Sequence, residues 1–396
     1  MVHIITKIYN GRIILGNEIV EENLYFDKDK IVAVTSDELG CERVIDACGC
    51  YVSPGFVDIH QHGGFGFEYS DASREAIVSA SNGHAMHGTT TVFPTIAANS
   101  SDELSNALQA IGKYGADEQI IPNLPGVHLE GPYFSPKQCG AQNMGQLRVP
   151  EQKEYRKLIS EFGTFIKLWS YAPELDRELS FLKTLNDNGI VAAAGHTDAT
   201  YDDMKRAYDN GCRHITHLYS CTSTITRENG FRKLGVIETA YLYDDIYVEA
   251  IADGCHLPPE LLELIYKIKG AEHICLITDS IRFGGLKGDT TDTSSIGGAY
   301  IIEDGVAKLP DRSAFAGSIA TSDVLVRTCV KKAGIPLVDA VKMLTDVPCR
   351  VMNLKSKGAL KVGYDADIII FDENINMQSV IVGGKVHNEI GREITC

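Results

Sequence analysis

The sequence predicts an α/β fold, a (β/α)8 barrel of the TIM type with a small β-domain built from both chain termini. Three observations favour this fold. Strand-like and helix-like segments alternate through the middle of the chain, several of the strand-like segments are followed by a metal-ligating or acidic side chain, and both ends contain short β-prone runs. We expect residues 1–54 and 355–396 to form the small β-domain and residues 55–354 to form the barrel.

Eight apolar runs predict the eight barrel strands, and a helix-like segment follows each of the first seven. The predicted strand–helix pairs are 56–59 with 74–86, 89–93 with 104–113, 124–129 with 152–159, 165–169 with 178–185, 190–194 with 201–208, 214–218 with 234–241 and 246–251 with 260–267, and the eighth strand is 273–278. In the N-terminal part, short runs separated by turn residues are typical of hairpins. Segments 367–371 and 379–382 should pair with them, because chain ends usually lie close together.

Composition narrows the class of protein. The chain has 396 residues, of which 44% are hydrophobic and 23% charged, as in a globular protein. A net charge of −16 argues against a nucleic-acid partner, which would require a basic face. No apolar run approaches the ~18 residues that would span a membrane, and no signal peptide is evident, so no membrane partner is expected. Eleven cysteines without a CxxC pair indicate reduced thiols and a cytoplasmic location.

Candidate metal ligands and one candidate acid/base group follow these strand-like runs. They are His60 and His62, Glu130, His196, His217 and Asp279. Enzymes with a (β/α)8 barrel build their active sites at the carboxyl ends of the strands, where such side chains would converge. Imidazole and carboxylate groups suit zinc, ferrous iron and similar ions. The pattern therefore predicts a metal-dependent hydrolase.

Seven motifs extend this prediction to a family. In chain order they are PGFVDIHQHG at 54–63, HLEGPY at 128–133, GHT at 195–197, THLY at 216–219, DGCH at 253–256, TD at 278–279 and GYDAD at 363–367. Together they resemble the N-acetylglucosamine-6-phosphate deacetylases, a branch of the amidohydrolase superfamily, over nearly the whole chain. HLEGPY is the most specific motif, because most amidohydrolases place a carboxylated lysine on that strand where this chain has Glu130.

The resemblance implies one or two divalent ions in each subunit, with zinc or iron the expected metals. Glu130, His196 and His217 would hold one ion. His60 and His62 would complete a second site, which Glu130 could bridge. A bound divalent metal lowers the pKa of its water toward ~7 and polarises a carbonyl. Asp279 would take the proton of that water and pass it to the amine nitrogen.

The resemblance also assigns candidate substrate contacts. His256 matches a histidine that contacts the sugar. Arg227 is the best counterpart of an arginine that reaches the phosphate across a dimer interface, so a homodimer is expected, and a planar guanidinium suits a phosphate. Two positions depart from the family pattern: Ser220 and Cys221 replace an Asn-Ala pair, and Gln142 replaces a histidine near the acetyl carbonyl. Glutamine still donates a hydrogen bond but carries no charge.

Three functions remain open at this point. The first is hydrolysis of the acetamido group of N-acetylglucosamine 6-phosphate to glucosamine 6-phosphate and acetate. The second keeps the chemistry but changes the small-molecule substrate to N-acetylgalactosamine 6-phosphate or a non-phosphorylated amino sugar. The third is a non-catalytic scaffold with an amidohydrolase-like fold. The complete set of five ligand positions and Asp279 argues against the third function.

Overall fold

The centre of the molecule is an eight-stranded parallel sheet rolled into a barrel. The computed structural model describes residues 5–286, 290–295, 298–388 and 394–395. The barrel strands, in chain order, are Phe56–Gln61, Thr89–Ile96, Val127–Glu130, Ile166–Tyr171, Val191–Ala194, His214–Ile215, Tyr247–Ile251 and Ile274–Ile277. Each pairs in parallel with the next. Nearly every strand residue is buried, as expected for a parallel sheet covered on both faces.

The first and eighth strands meet at a seam that backbone hydrogen bonds close at both ends. At the carboxyl end, the amide of Asp279 donates to the carbonyl of His60 at 2.9 Å, and the amide of His62 donates to the carbonyl of Ser280 at 2.9 Å. At the opposite end, Val57 donates to Leu344 and Leu276 donates to Met343, at 2.8 and 2.9 Å. A segment far along the chain therefore closes the barrel.

Helices follow the strands as predicted. The helices paired with the first seven strands are Arg74–Ala85, Ser101–Tyr114, Gln152–Phe162, Ser180–Asp187, Tyr201–Asp209, Val236–Leu242 and Pro259–Lys269, and Ser322–Lys331, Leu337–Lys342 and Asp346–Val351 come after the eighth. Ser100 and Thr200 begin two of them with reciprocal capping boxes, in which Glu103 and Asp203 return the hydrogen bond. The predicted (β/α)8 barrel is confirmed.

Two further sheets combine strands from the two ends of the chain. One has the order Ile394–Thr395, Arg43–Asp46, Ile5–Tyr9, Asn23–Asp27 and Lys30–Thr35. The other has the order Lys385–Asn388, Met377–Val382, Ile368–Phe371, Tyr51–Pro54, Arg12–Leu15 and Glu18–Val20. Buried side chains of both sheets, among them Ile8, Phe26 and Ile370, share one core. Residues 1–4, 389–393 and 396, which the sequence assigned to this β-domain, lie outside the described residues.

Three small β elements on the barrel rim were not predicted. Gly63–Gly64 pairs with Phe67–Glu68, and Thr226–Glu228 pairs with Phe231–Lys233. A three-stranded sheet of Thr290–Ser295, Gly298–Glu303 and Val306–Lys308 follows the eighth barrel strand. These insertions lie in loops where the alternation of strands and helices gives no signal. Among the described residues, no helix combines the length and apolarity needed to cross a membrane.

Candidate metal centre and active site

The carboxylate of Glu130, at the end of the third barrel strand, is the centre of a buried cluster. Its Oε1 lies 3.0 Å from His196 Nε2, 2.9 Å from His217 Nε2 and 3.6 Å from His60 Nε2. Its Oε2 lies 3.3 Å from His62 Nε2. Burial alone would raise the pKa of Glu130, but the hydrogen bonds from His196, His217 and His62 hold it well below its usual range.

Asp279 faces the same cluster from the eighth strand. Its Oδ1 lies 3.4 Å from His60 Nε2 and 3.3 Å from His62 Nε2. Burial raises the pKa of Asp279, but the charges of His60 and His62 outweigh it, so the pKa is lowered and the carboxylate stays ionised. Burial lowers the pKa of His62, whereas hydrogen bonds to Asp279 and Glu130 raise it, with a net result of about 10. The two carboxylates therefore favour a positive charge between them.

In three of the predicted ligands, His60, His196 and His217, the ring nitrogen turned away from Glu130 is Nδ1, and a hydrogen bond holds it. Nδ1 of His196 donates to the carbonyl of Gln138 at 2.9 Å, and Nδ1 of His217 donates to the carbonyl of Ser220 at 3.1 Å. Nδ1 of His60 lies 3.0 Å from a carboxylate oxygen of Glu249. Because an acceptor lies beside each Nδ1, Nε2 is the ring nitrogen that faces the carboxylates at the centre, and a ring with its single hydrogen on Nδ1 offers a lone pair there.

This arrangement fits a divalent ion. Lone pairs and carboxylate oxygens that face each other repel unless a cation lies between them, and the buried Nε2 of His60 has no hydrogen-bond partner in the part of the chain that the structure describes. Two groups bring their ligand atoms within 4.8 Å of one another: His60, Glu130 and His217, and His60, His62 and Asp279. The donor set of imidazole and carboxylate suits zinc or iron. The protein can hold a metal here, and the two groups share His60.

Backbone strain marks the strand ends that carry these groups. His196, His217 and Asp279 have φ angles of 46°, 27° and 47°, in the left-handed region that side chains other than glycine rarely adopt. Such conformations persist only where the surrounding structure fixes them, and they concentrate at functional sites. Here the strained residues turn their side chains from the strand ends toward Glu130.

The cluster forms the floor of a pocket of about 380 Å³. His256, Ser220, Cys221 and Gln142 line its wall, together with Glu68, Tyr219, Tyr300 and Phe315. Nδ1 of His256 lies 2.7 Å from Asp253 Oδ2, and its ring packs against Phe315. All predicted site residues except His60 and Arg227 thus line one pocket, and His60 lies buried behind it, 3.6 Å from Glu130.

Gln142 and Arg227 occupy positions that the motifs alone did not indicate. The amide of Gln142 donates to Glu130 Oε2 at 2.6 Å, and its carbonyl oxygen accepts from the amide of Ala98 at 2.9 Å. Arg227 lies on the exposed hairpin Thr226–Glu228 and does not line the pocket of its own chain. Sequence reasoning also missed Glu249, although a single carboxylate inside the apolar strand Tyr247–Ile251 is a detectable signal.

Comparisons with known proteins identify the family. The Amidohydrolase family model matches residues 51–387. The chain is 31% identical to N-acetylglucosamine-6-phosphate deacetylase of Lysinibacillus sphaericus over 91% of this chain and 92% of the relative. It is also 31% identical to the enzyme of the same name from Bacillus subtilis (strain 168), over 94% of this chain and 95% of the relative.

Among solved structures, the fold matches a variant of the N-acetyl-D-glucosamine-6-phosphate deacetylase of Mycobacterium smegmatis in complex with N-acetyl-D-glucosamine-6-phosphate. The TM-score is 0.87 at 28% identity, over 98% of this chain and 99% of that chain. The resemblance predicted from the sequence motifs is confirmed. The chain is therefore an enzyme of the amidohydrolase family, and its similarity places it with the N-acetylglucosamine-6-phosphate deacetylases.

Proposed function

We propose that this enzyme hydrolyses the acetamido group of N-acetylglucosamine 6-phosphate, with glucosamine 6-phosphate and acetate as products. The observation that carries the proposal is the position of Glu130, whose carboxylate contacts His196 and His217 on the pocket floor while Asp279 faces the same cluster. The names of the curated relatives and the sugar phosphate bound to the Mycobacterium smegmatis variant support this substrate.

The cluster around Glu130 would hold one or two divalent ions, with zinc or iron as the proposed metal. Glu130, His196 and His217 would hold one ion, and His60 and His62 would complete the second site. A divalent ion in such a site supplies a water of lowered pKa and polarises a carbonyl. Hydrogen-bond acceptors hold Nδ1 of His60, His196 and His217, and this orients Nε2 of each ring toward the position of the ion.

Asp279 is the proposed proton carrier. Its carboxylate is ionised and buried on the pocket floor, so it can accept a proton from the attacking water and deliver it to the amine nitrogen that leaves. An ionised carboxylate has only acceptor atoms, so no rotation of the group is needed before it takes the proton. After delivery the carboxylate is again ionised, ready for the next turnover.

The wall of the pocket is proposed to bind the sugar. His256, Ser220, Cys221 and Gln142 line it, and its volume lies within the range of roughly 300–1,000 Å³ typical of small-molecule sites. Phe315 packs against the ring of His256 and offers an apolar face to a sugar ring. Because Gln142 already donates to Glu130, we propose that it acts on the substrate chiefly by orienting that carboxylate.

The phosphate is proposed to bind Arg227 of a second copy in a homodimer. Among the described residues that line the pocket there is no lysine or arginine, yet a phosphate needs a cationic partner. The hairpin with Arg227 is exposed along its length, and Phe231 at its tip is 74% exposed. An isolated two-stranded hairpin is marginally stable in water, so a partner surface would stabilise it.

The proposed location of the enzyme is the cytoplasm. The free cysteines of the described chain agree with this location, because thiols stay reduced there.

The absence of a cation from the described pocket lining also favours one alternative, a non-phosphorylated N-acetylated sugar. A panel of N-acetylglucosamine and N-acetylgalactosamine, each with and without a 6-phosphate, separates the candidates by the rate of acetate release. We expect the highest kcat/KM for N-acetylglucosamine 6-phosphate and no activity in chelator-treated enzyme. A higher kcat/KM for any other sugar of the panel would replace the proposed substrate.

A further inference from the structure

Glu249 is a buried carboxylate beneath the metal centre, and the proposed reaction does not use it directly. It lies in the seventh barrel strand, Tyr247–Ile251, and none of its surface is exposed. Three N–H groups surround its two oxygens. They belong to the ring of His60 (3.0 Å), the ring of His214 (2.9 Å) and the backbone of His217 (3.1 Å). A buried carboxylate is costly unless it is paired and hydrogen-bonded, and these three groups satisfy it.

The first effect of Glu249 is on the tautomer of His60. Oε2 of Glu249 accepts the backbone N–H of His217, a group that can only donate, and the same oxygen lies 3.0 Å from Nδ1 of His60, where it is placed to accept as well. His60 must therefore keep a hydrogen on Nδ1. Its Nε2, which has no hydrogen-bond partner among the described residues, then points a lone pair toward Glu130 and Asp279.

The second effect is on the turn that carries His217. The amide of His217 donates to the side chain of Glu249, and the amide of Leu218 donates to the backbone carbonyl of Glu249 at 2.9 Å. His217 has a φ of 27°, a conformation that needs outside support. Glu249 thus accepts the amides of both His217 and Leu218. It does so from the strand Tyr247–Ile251, which pairs with the strand that leads into the turn.

We propose that Glu249 is a positioning residue that holds two metal ligands at once, His60 through its ring and His217 through its backbone. This inference rests on the proposed function only in requiring a metal at the site. His214 supports the arrangement, since its Nε2–H holds the second oxygen of Glu249 and directs the first toward His60 and His217. Hydrogen-bond partners of metal-binding histidines typically change metal affinity by about 10–100-fold when they are removed.

The test compares Glu249→Gln with Asp323→Asn. Glutamine keeps the shape of Glu249 but has only one acceptor oxygen, so it cannot accept from His214 on one side and from His60 and His217 on the other. Asp323 is a matched control away from the pocket, because it is also buried and also lies 3.1 Å from a histidine, His87. Zinc affinity is measured by competition with a chelating dye, and circular dichroism and Tm show whether each variant is folded.

We expect folded Glu249→Gln to bind zinc about 10–100-fold more weakly and its cobalt-substituted form to show an altered visible spectrum. Asp323→Asn should lose stability but keep wild-type zinc affinity. Unchanged zinc affinity in Glu249→Gln would overturn the proposal. So would an equal loss of affinity in both variants, since that loss would be structural. If wild-type protein itself bound no divalent metal, the proposed function would fail together with this inference, whereas unchanged affinity in Glu249→Gln would refute the inference alone.

A second measurement needs no variant and applies if Glu249→Gln does not fold. Nitrogen-15 chemical shifts of zinc-loaded wild-type protein, labelled at histidine, report which ring nitrogen carries hydrogen. We expect His60 to carry it on Nδ1 and to bind the metal through Nε2. A zinc-loaded protein with hydrogen on Nε2 of His60 would overturn the proposal.

Discussion

Replacement of Asp279 by asparagine tests the proposed proton carrier. An asparagine side chain has nearly the same shape as that of aspartate, so the contacts of 3.3 and 3.4 Å with His62 and His60 keep their spacing. What the variant loses is the negative charge and the ability to take up a proton. We therefore expect a change in turnover and little change in fold.

The expected size follows from the role of the group. A positioned general acid–base contributes typically 10²–10⁴-fold to the rate, or about 3 to 5 kcal/mol at 1.36 kcal/mol per tenfold. Among the four histidines that contact Glu130, His196 and His217 lie nearest, and neither of those contacts involves Asp279. We thus expect at least one metal ion per subunit to remain, with a weaker affinity for a second ion at His60 and His62.

The assay combines the rate of acetate release with metal analysis of the same sample. We expect Asp279→Asn to lower kcat by at least 10²-fold with one or more ions retained. Asp323→Asn, a buried aspartate outside the pocket, should keep wild-type kcat. Near wild-type turnover in Asp279→Asn would remove Asp279 from the mechanism. Complete loss of metal would show that Asp279 is chiefly a ligand, so that the lost activity would not report proton transfer.

The remaining predictions concern metal, phosphate and acid stability. Glu130→Ala should lose tightly bound metal and activity together, because Glu130 contacts four histidines; full metal content in this variant, measured by elemental analysis, would show that the ligands are misassigned. Arg227→Ala should raise KM at least tenfold for the phosphorylated sugar and leave a non-phosphorylated sugar unaffected, since a charge-assisted hydrogen bond contributes about 1.5–3 kcal/mol; an equal loss on both substrates would indicate a folding role. When Arg227→Ala and Asp279→Asn chains are mixed and exchange subunits, some activity should return if Arg227 acts across the dimer, and its absence despite proven exchange would exclude that arrangement. Burial lowers the pKa of His84 to about 4 from the 6.5 of the unfolded chain, so below pH 6.5 the unfolded state binds a proton that the folded state does not. Stability should therefore fall between pH 6.5 and 4 by on the order of 3 kcal/mol, and urea unfolding of metal-free His84→Gln should show a shallower decline; an identical decline would remove His84 as the cause.

The sequence allowed the barrel to be predicted almost strand by strand, because its signal is local. Each parallel strand is a short apolar run with a helix after it, and the observed strand Thr89–Ile96 and helix Ser101–Tyr114 extend the predicted segments by only a few residues. The rim insertions were missed because no periodicity distinguishes a hairpin such as Thr226–Glu228 with Phe231–Lys233 from an irregular loop.

Site geometry was predictable only in part, because it depends on contacts between distant segments. The motifs indicated which side chains gather around Glu130, since barrel strands end at one rim. They could not indicate that the carbonyls of Gln138 and Ser220 hold two histidine rings, because every residue has a carbonyl and only the loop path decides which one is near. The contact of Gln142 with Glu130 depends on the same loop path.

The seam of the barrel passes through the candidate metal centre. His60 and His62 lie on one side of the seam and Asp279 on the other, so an ion bound by all three joins the first and last strands. Such an ion stabilises the closed barrel by RT ln(1 + [L]/Kd), roughly 4 kcal/mol at a thousandfold excess over Kd. The opposite end of the seam needs the backbone of Met343 and Leu344. During synthesis on a ribosome, a centre that includes Asp279 cannot assemble before that residue has emerged, and the opposite end of the seam closes later still, after Leu344.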